Sequence, residues 1–195
     1  MDMHEFYERY RFPKDKREVY SEVIDAGVDP KMKEIVELLN EFGLETYNSC
    51  SGILETHFND DFFSVPYSDR EAIWFINPYL TVDGCIILDD GVVDDKRFYH
   101  LVMALCKQVH YTKYDGSEYS ADWIIDHRDG IYEIKLSGTC FRMLLSQVDS
   151  YEMFDEILIG HLSLLEYTLR EFVEDPSREV WDDIVVYDDG EIIVQ

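Results

Sequence analysis

The chain has 195 residues, of which 42 are acidic and 17 basic, for a formal net charge of -25. That charge repels a phosphate backbone, so generic nucleic-acid binding is not expected. A composition that is 46% hydrophobic, with 14 Tyr, 11 Phe and 3 Trp, excludes a disordered acidic tail. No apolar run approaches the roughly 20 residues of a membrane span, and the first residues lack the apolar stretch of a secretory signal. The expectation is a single folded, cytoplasmic α+β domain that stays out of membranes.

In chain order, residues 1–20 form a possible arm, where Arg9, Arg11, Lys14, Lys16 and Arg17 offset the acids. Asp29-Pro30 then reads as a helix N-cap with proline at the first turn, and Met32, Ile35, Val36, Leu39 and Phe42 recur at helical spacing. This predicts a helix over 30–42, stopped by Gly43. Leu44 to Asn48 reads as a strand entering the turn Ser49-Cys50-Ser51-Gly52, with a second extended run from Ile53 to Phe58. Pro66 and Tyr67-Ser68-Asp69 mark a loop before the apolar runs 72–76 and 85–88, and Asp89-Asp90-Gly91 closes the second of them. A second helix is predicted over 95–110, followed by a loop over 113–120. Two runs, 123–127 and 131–136, flank Asp129-Gly130, a strong hairpin signal, and 141–147 reads as an extension of that meander. The longest helix spans 151–173, with Phe154, Leu158, Leu162, Leu165, Leu169 and Phe172 on one face, and Asp175-Pro176 stops it. A last hairpin turns at Asp188-Asp189-Gly190. Adjacent strand pairs favour an antiparallel or mixed sheet.

The strongest candidate for chemistry is Ser49-Cys50-Ser51-Gly52. A thiol in a tight turn at a strand end can be exposed while neighbouring backbone N–H groups stabilise its thiolate. Its nearest potential base is His57; the plain alternative is a small buried thiol in a glycine turn. Cys50, Cys85, Cys106 and Cys140 contain no Cys-x-x-Cys pair and read as reduced thiols. Cys106 and His110 stand four apart on the predicted second helix, a spacing open to two metal ligands, but Cys106 borders the apolar stripe and reads first as a core thiol. His161 reads as a hydrogen-bonded core histidine. The paired aspartates fit no EF-hand loop, and no metal motif emerges.

The run Val28-Asp29-Pro30, the helix Glu34 to Asn40 and the segment Thr46-Tyr47-Asn48-Ser49-Cys50-Ser51-Gly52 resemble the N-terminal signature of the wybutosine-type tRNA methyltransferase family. That family places Ser-Ser-Cys-Ser-Gly-Arg after a similar helix. A helix followed by Ser-Cys-x-Gly is also similar to a module of uncharacterised bacterial and phage proteins. This chain has Asn48 in place of the first serine and Ile53 in place of Arg or His. The resemblance covers about 25 residues; it implies S-adenosylmethionine as methyl donor and a tRNA substrate, with Ser49, Cys50 and Ser51 near the site. The net charge opposes the tRNA part.

Charge is also unevenly placed. Residues 149–195 hold 14 acids against Arg170 and Arg178, and Glu166, Glu171, Glu174, Asp182, Asp183, Asp188 and Asp189 mark an expected acidic face. Its functional reading is a surface for a basic protein partner, as in an inhibitor or immunity protein without a cofactor; its plain reading is a solvated face. Composition and pattern place the acidic interaction protein first. An enzyme working through Cys50, as a thiol catalyst with His57 or as a methyltransferase relative, is the alternative.

Overall fold

Asp29 opens the first helix as its position predicts. Its Oδ1 accepts the Lys31 N–H at 3.1 Å, Pro30–Met32 makes a 3-10 turn, and α1 follows over Lys33–Glu41. Met32, Ile35, Leu38 and Leu39 face inward. The chain leaves α1 through Gly43 at φ 97°, a left-handed value that glycine adopts without a Cβ clash. The computed structural model describes residues 5, 9, 29–66, 78–83, 86–87, 93–128, 131–176, 178, 181 and 183–195. The expected strand over 72–76, the turns at 67–69, 89–91 and 129–130, and nearly all of the arm 1–20 lie outside them.

β1 covers Thr46–Cys50, two residues later than predicted, so Ser49 and Cys50 end the strand and the turn begins after them. A register shift between Thr46 and Ser49 marks an irregularity just before Cys50, of the kind that re-aims side chains at a strand end. Within the expected extended run over 53–58, only Ile53 and Phe58 are extended; Leu54–His57 form a helix, α2, and α3 follows over Asp60–Phe63. β2 (Tyr79–Asp83), β3 (Ile86–Ile87) and β4 (Val93–Asp94) follow, with β3 and β4 paired with each other.

α4 runs over Asp95–Lys107 and stops short of His110, which lies in β5 (Val109–Tyr114). The expected loop over 113–120 is a hairpin, because Asp115 and Gly116 take φ 48° and 75° and turn β5 into β6 (Ser117–Ser120). The predicted meander forms as β7 (Trp123–Arg128) against β8 (Ile131–Leu136). Residues 141–147 do not extend it: they belong to α5 (Gly138–Gln147), whose N-cap Ser137 accepts the Cys140 N–H. α6 covers Tyr151–Glu174 with Ser150 as N-cap. β9 (Ile184–Asp188) and β10 (Glu191–Val194) form the last hairpin.

The strands make two four-stranded sheets, giving an α+β fold. One is antiparallel, in the order β1-β2-β8-β7; the other is mixed, in the order β10-β9-β5-β6, because β5 and β9 run parallel. α6 packs against β5 and β9 and against α1, α4 and α2. Its buried residues Phe154, Leu158, Leu162, Leu165 and Phe172 join Ile35, Leu39, Leu54, Phe62, Leu101 and Ile134 in one apolar cluster. No described helix is long and apolar enough to cross a membrane.

Candidate active site

The Cys50 turn is built from both sides. β1 delivers Cys50 at its last position, opposite Tyr79 of β2, and Gly52 at φ 72° reverses the chain immediately afterwards. This φ is strained for any residue with a Cβ, so the glycine of the Ser-Cys-Ser-Gly motif has a backbone reason. One turn of helix, α2, then carries His57 back over the strand end. Four residues make a marginal helix on their own. Here Asp155 of α6 caps it, accepting the Leu54 N–H at 2.8 Å and the Glu55 N–H at 3.0 Å. Burial raises the Asp155 carboxyl from its ordinary 3.8 to about 6, against the opposing pull of those two N–H groups. Tyr151 of α6 also donates to the Val65 carbonyl and contacts the Phe62 and Phe63 rings, which fixes the segment beyond α3.

The outcome is a direct contact between the two residues the sequence singled out: Cys50 Sγ lies 3.1 Å from His57 Nε2. The tautomer follows from the other nitrogen. His57 Nδ1 is 2.6 Å from the Ile53 carbonyl, and a carbonyl only accepts, so Nδ1 carries a proton and the neutral ring presents the Nε2 lone pair to the thiol. The Thr56 hydroxyl donates to the same carbonyl at 2.9 Å.

Asp29 is the third member, and sequence reasoning saw it only as a helix cap. Its Oδ1 holds that cap while Oδ2 reaches 22 residues on, accepting from the Ser51 hydroxyl at 2.5 Å and the Ser51 N–H at 3.3 Å. Oδ2 also stands 4.0 Å from His57 Nε2. The Asp29 and His57 side chains are 9% and 13% exposed and Cys50 is 8% exposed, so the three groups meet in a site largely shielded from solvent. Cys50 Sγ, His57 Nε2 and an Asp29 carboxylate oxygen all fall within 4.8 Å of one another. A short polar signal existed for Asp29, since it belongs to the Val28-Asp29-Pro30 run, but nothing local gave its second partner.

The other expectations for this turn divide. Ser51 is fully buried and holds Asp29, whereas Ser49 sits in the β1 ladder opposite Leu80. The Ser51 and Ile53 N–H groups go to Asp29 and to Ser51 Oγ, and those of Leu54 and Glu55 to Asp155. The electrostatic support at Cys50 that these contacts describe is the imidazole and the carboxylate beyond it, in place of those four turn amides.

Elsewhere the pairing of Cys106 with His110 on one helix face is not formed. Cys106 is an exposed residue of α4, not a core thiol, while His110 is buried in β5. His161 is buried as expected and contacts Thr112 Oγ1 at 2.8 Å. The acidic residues fall in two places. Glu166 pairs with Arg170, which also holds Glu34, and Arg178 holds Glu171 and Asp183 while lying over the Trp181 ring. Asp188 and Asp189 instead join Asp115, Glu118 and Glu156 around an open cleft of about 900 Å³, with Lys113 near Glu118 and Asp188. Glu174 is exposed at the end of α6, and Asp182 lies outside the described residues.

Searches of protein-family models, curated proteins and solved structures give no match to this chain.

Proposed function

We propose that the protein is an enzyme that works through Cys50 as a nucleophile, with His57 as its base and Asp29 steadying the charged ring. The observation that carries this reading is the 3.1 Å contact between Cys50 Sγ and His57 Nε2, with Nδ1 fixed on the Ile53 carbonyl. A nucleophile, a base within hydrogen-bond reach and an orienting partner for the base are the parts that thiol catalysis requires. The thiol proton moves from Sγ to Nε2, the sulfur lone pair forms a bond to an electrophilic carbon, and the imidazolium returns the proton to the departing group. The Asp29 carboxylate favours the imidazolium and therefore the thiolate.

Site-resolved alkylation tests this. In metal-free protein at pH 7, iodoacetamide is expected to modify Cys50 faster than Cys106, an exposed residue whose sulfur is still partly desolvated, which raises its pKa. An unperturbed thiol is only a few per cent thiolate at that pH, so His57→Ala is expected to slow Cys50 on the order of tenfold. A Cys50 rate that is no faster than Cys106 and indifferent to His57→Ala sinks the reading.

A second reading, the acidic interaction protein, is favoured by the cleft between the Asp115-Gly116 and Asp189-Gly190 turns. Its five acids line one concave surface, which suits a cationic side chain of a basic partner.

A further inference from the structure

We infer that Cys50 Sγ, His57 Nε2 and Asp29 Oδ2 form a binding site for a single divalent ion of the zinc class, and that the bound ion silences the nucleophile. This rests on the reading of Cys50 and His57 as the reactive pair and adds its regulation. The donor set comes first. One thiolate, one imidazole and one carboxylate make a borderline-soft set that suits Zn²⁺ over Mg²⁺ or Ca²⁺, which take oxygen ligands. Three protein donors leave a fourth tetrahedral position open to water.

The geometry is close to that of a zinc site. Zinc bonds of roughly 2.0–2.3 Å at tetrahedral angles place donors roughly 3.3–3.7 Å apart; here Sγ–Nε2 is 3.1 Å and Nε2–Oδ2 is 4.0 Å. Each departs from that spacing by a few tenths of an ångström and all three donor atoms lie within 4.8 Å of one another, so modest side-chain rotations would bring them onto one ion. The outer contacts are those a metal site needs. His57 gives its Nδ1–H to a backbone carbonyl, which holds Nε2 as the ligating nitrogen, and Asp29 is oriented by the Ser51 hydroxyl and N–H. The site is also nine-tenths buried at Cys50 and Asp29, unlike the exposed acids that bind cations diffusely on a chain of charge -25. On binding, the thiol proton is released to solvent and the sulfur lone pair forms the metal bond, so the same electrons are no longer offered to a substrate.

Co²⁺ and Zn²⁺ titrations of the chelator-treated full chain test this, because thiolate ligation of Co²⁺ gives a sulfur-to-metal charge-transfer band that surface carboxylates do not. One equivalent is expected to produce the band and to shield Cys50 from iodoacetamide. Cys50→Ala should abolish the band, and His57→Ala or Asp29→Asn should weaken binding on the order of 100-fold or more. Asp29→Asn keeps a good helix cap but loses an acceptor for Ser51, so its melting temperature is measured alongside, and where that falls the ligand set is judged on Cys50→Ala and His57→Ala. A band that survives Cys50→Ala, or no band while metal-free Cys50 reacts fast and depends on His57, overturns the metal site and leaves the thiol reading standing. A single-equivalent band with a slow, His57-independent Cys50 in metal-free protein upholds the ligand set and overturns the thiol reading together with the silencing.

Discussion

Gly160 lies within α6 where that helix crosses the mixed sheet, and its missing side chain sets how closely the two approach. A Cβ there would stand 2.4 Å from Thr112 Cγ2 and 2.8 Å from Tyr187 Cδ1, well inside van der Waals contact. Gly160→Ala gains up to ~1 kcal/mol of helix propensity but overpacks by about 1–3 kcal/mol. The expected outcome, a net loss of up to about 2 kcal/mol in urea unfolding, is opposite in sign to the usual effect of alanine in a helix. The same scale governs the site. Cys50 and His57 were legible as residue types, and Gly52 was legible as a turn former. Asp29 was legible only in its local duty, because the N-cap bond is two residues away while the Ser51 bond spans a loop that only folding closes.

Elements show where local patterns are overruled. Ile53 to Phe58 lacks the length to declare a helix and reads as extended; α2 forms because the Asp155 carboxylate, about 100 residues away, satisfies its first N–H groups. Asp155→Ala leaves those donors unpaired and is expected to cost about 1–2 kcal/mol, as other lost caps do. It should also slow Cys50 alkylation, since the turn carrying His57 frays. Asp155→Asn, which keeps one acceptor, should restore part of both, whereas an unaltered alkylation rate in Asp155→Ala would show that α2 stands without its cap. By contrast, α1, α6, the β7–β8 pair and the hairpin at Asp189-Gly190 follow their local signals. The Asp115-Gly116 hairpin carried the same dipeptide, but its strands hold Lys113, Glu118 and Ser120, whose polarity resembles a loop.

For the whole molecule, the buried polar row beneath α6 sets the response to acid. Thr168 contacts Gln108 and His110, and Thr112 contacts His161. Burial lowers His110 to about 4 and His161 to about 3, from the ordinary 6.5. Below pH 6.5 the unfolded chain therefore takes up protons that the folded chain refuses. The stability these histidines contribute is complete above 6.5 and is lost as pH falls toward 4 and then 3, at up to about 1.4 kcal/mol per pH unit each. Asp155 acts in the opposite sense between about 6 and 4, where the folded carboxyl keeps a proton that the unfolded one has released. Unfolding free energies measured from pH 7 to 4 should decline, less steeply in His161→Gln and more steeply in Asp155→Asn. A flat profile in the unsubstituted protein would contradict the burial of both imidazoles.

Short-range physics was enough for the α+β class, for α1 and α6, for the β7–β8 pair and the Asp189-Gly190 hairpin, and for the prominence of Cys50 and His57, because capping, turn dihedrals and hydrophobic periodicity act within a few residues. Tertiary structure decided the parallel pairing of β5 with β9, the helical state of residues 54–57 and 138–147, and the entry of Asp29 into the Cys50–His57 pair. Those outcomes depend on donors, acceptors and apolar faces far apart in the chain, which a local pattern does not encode.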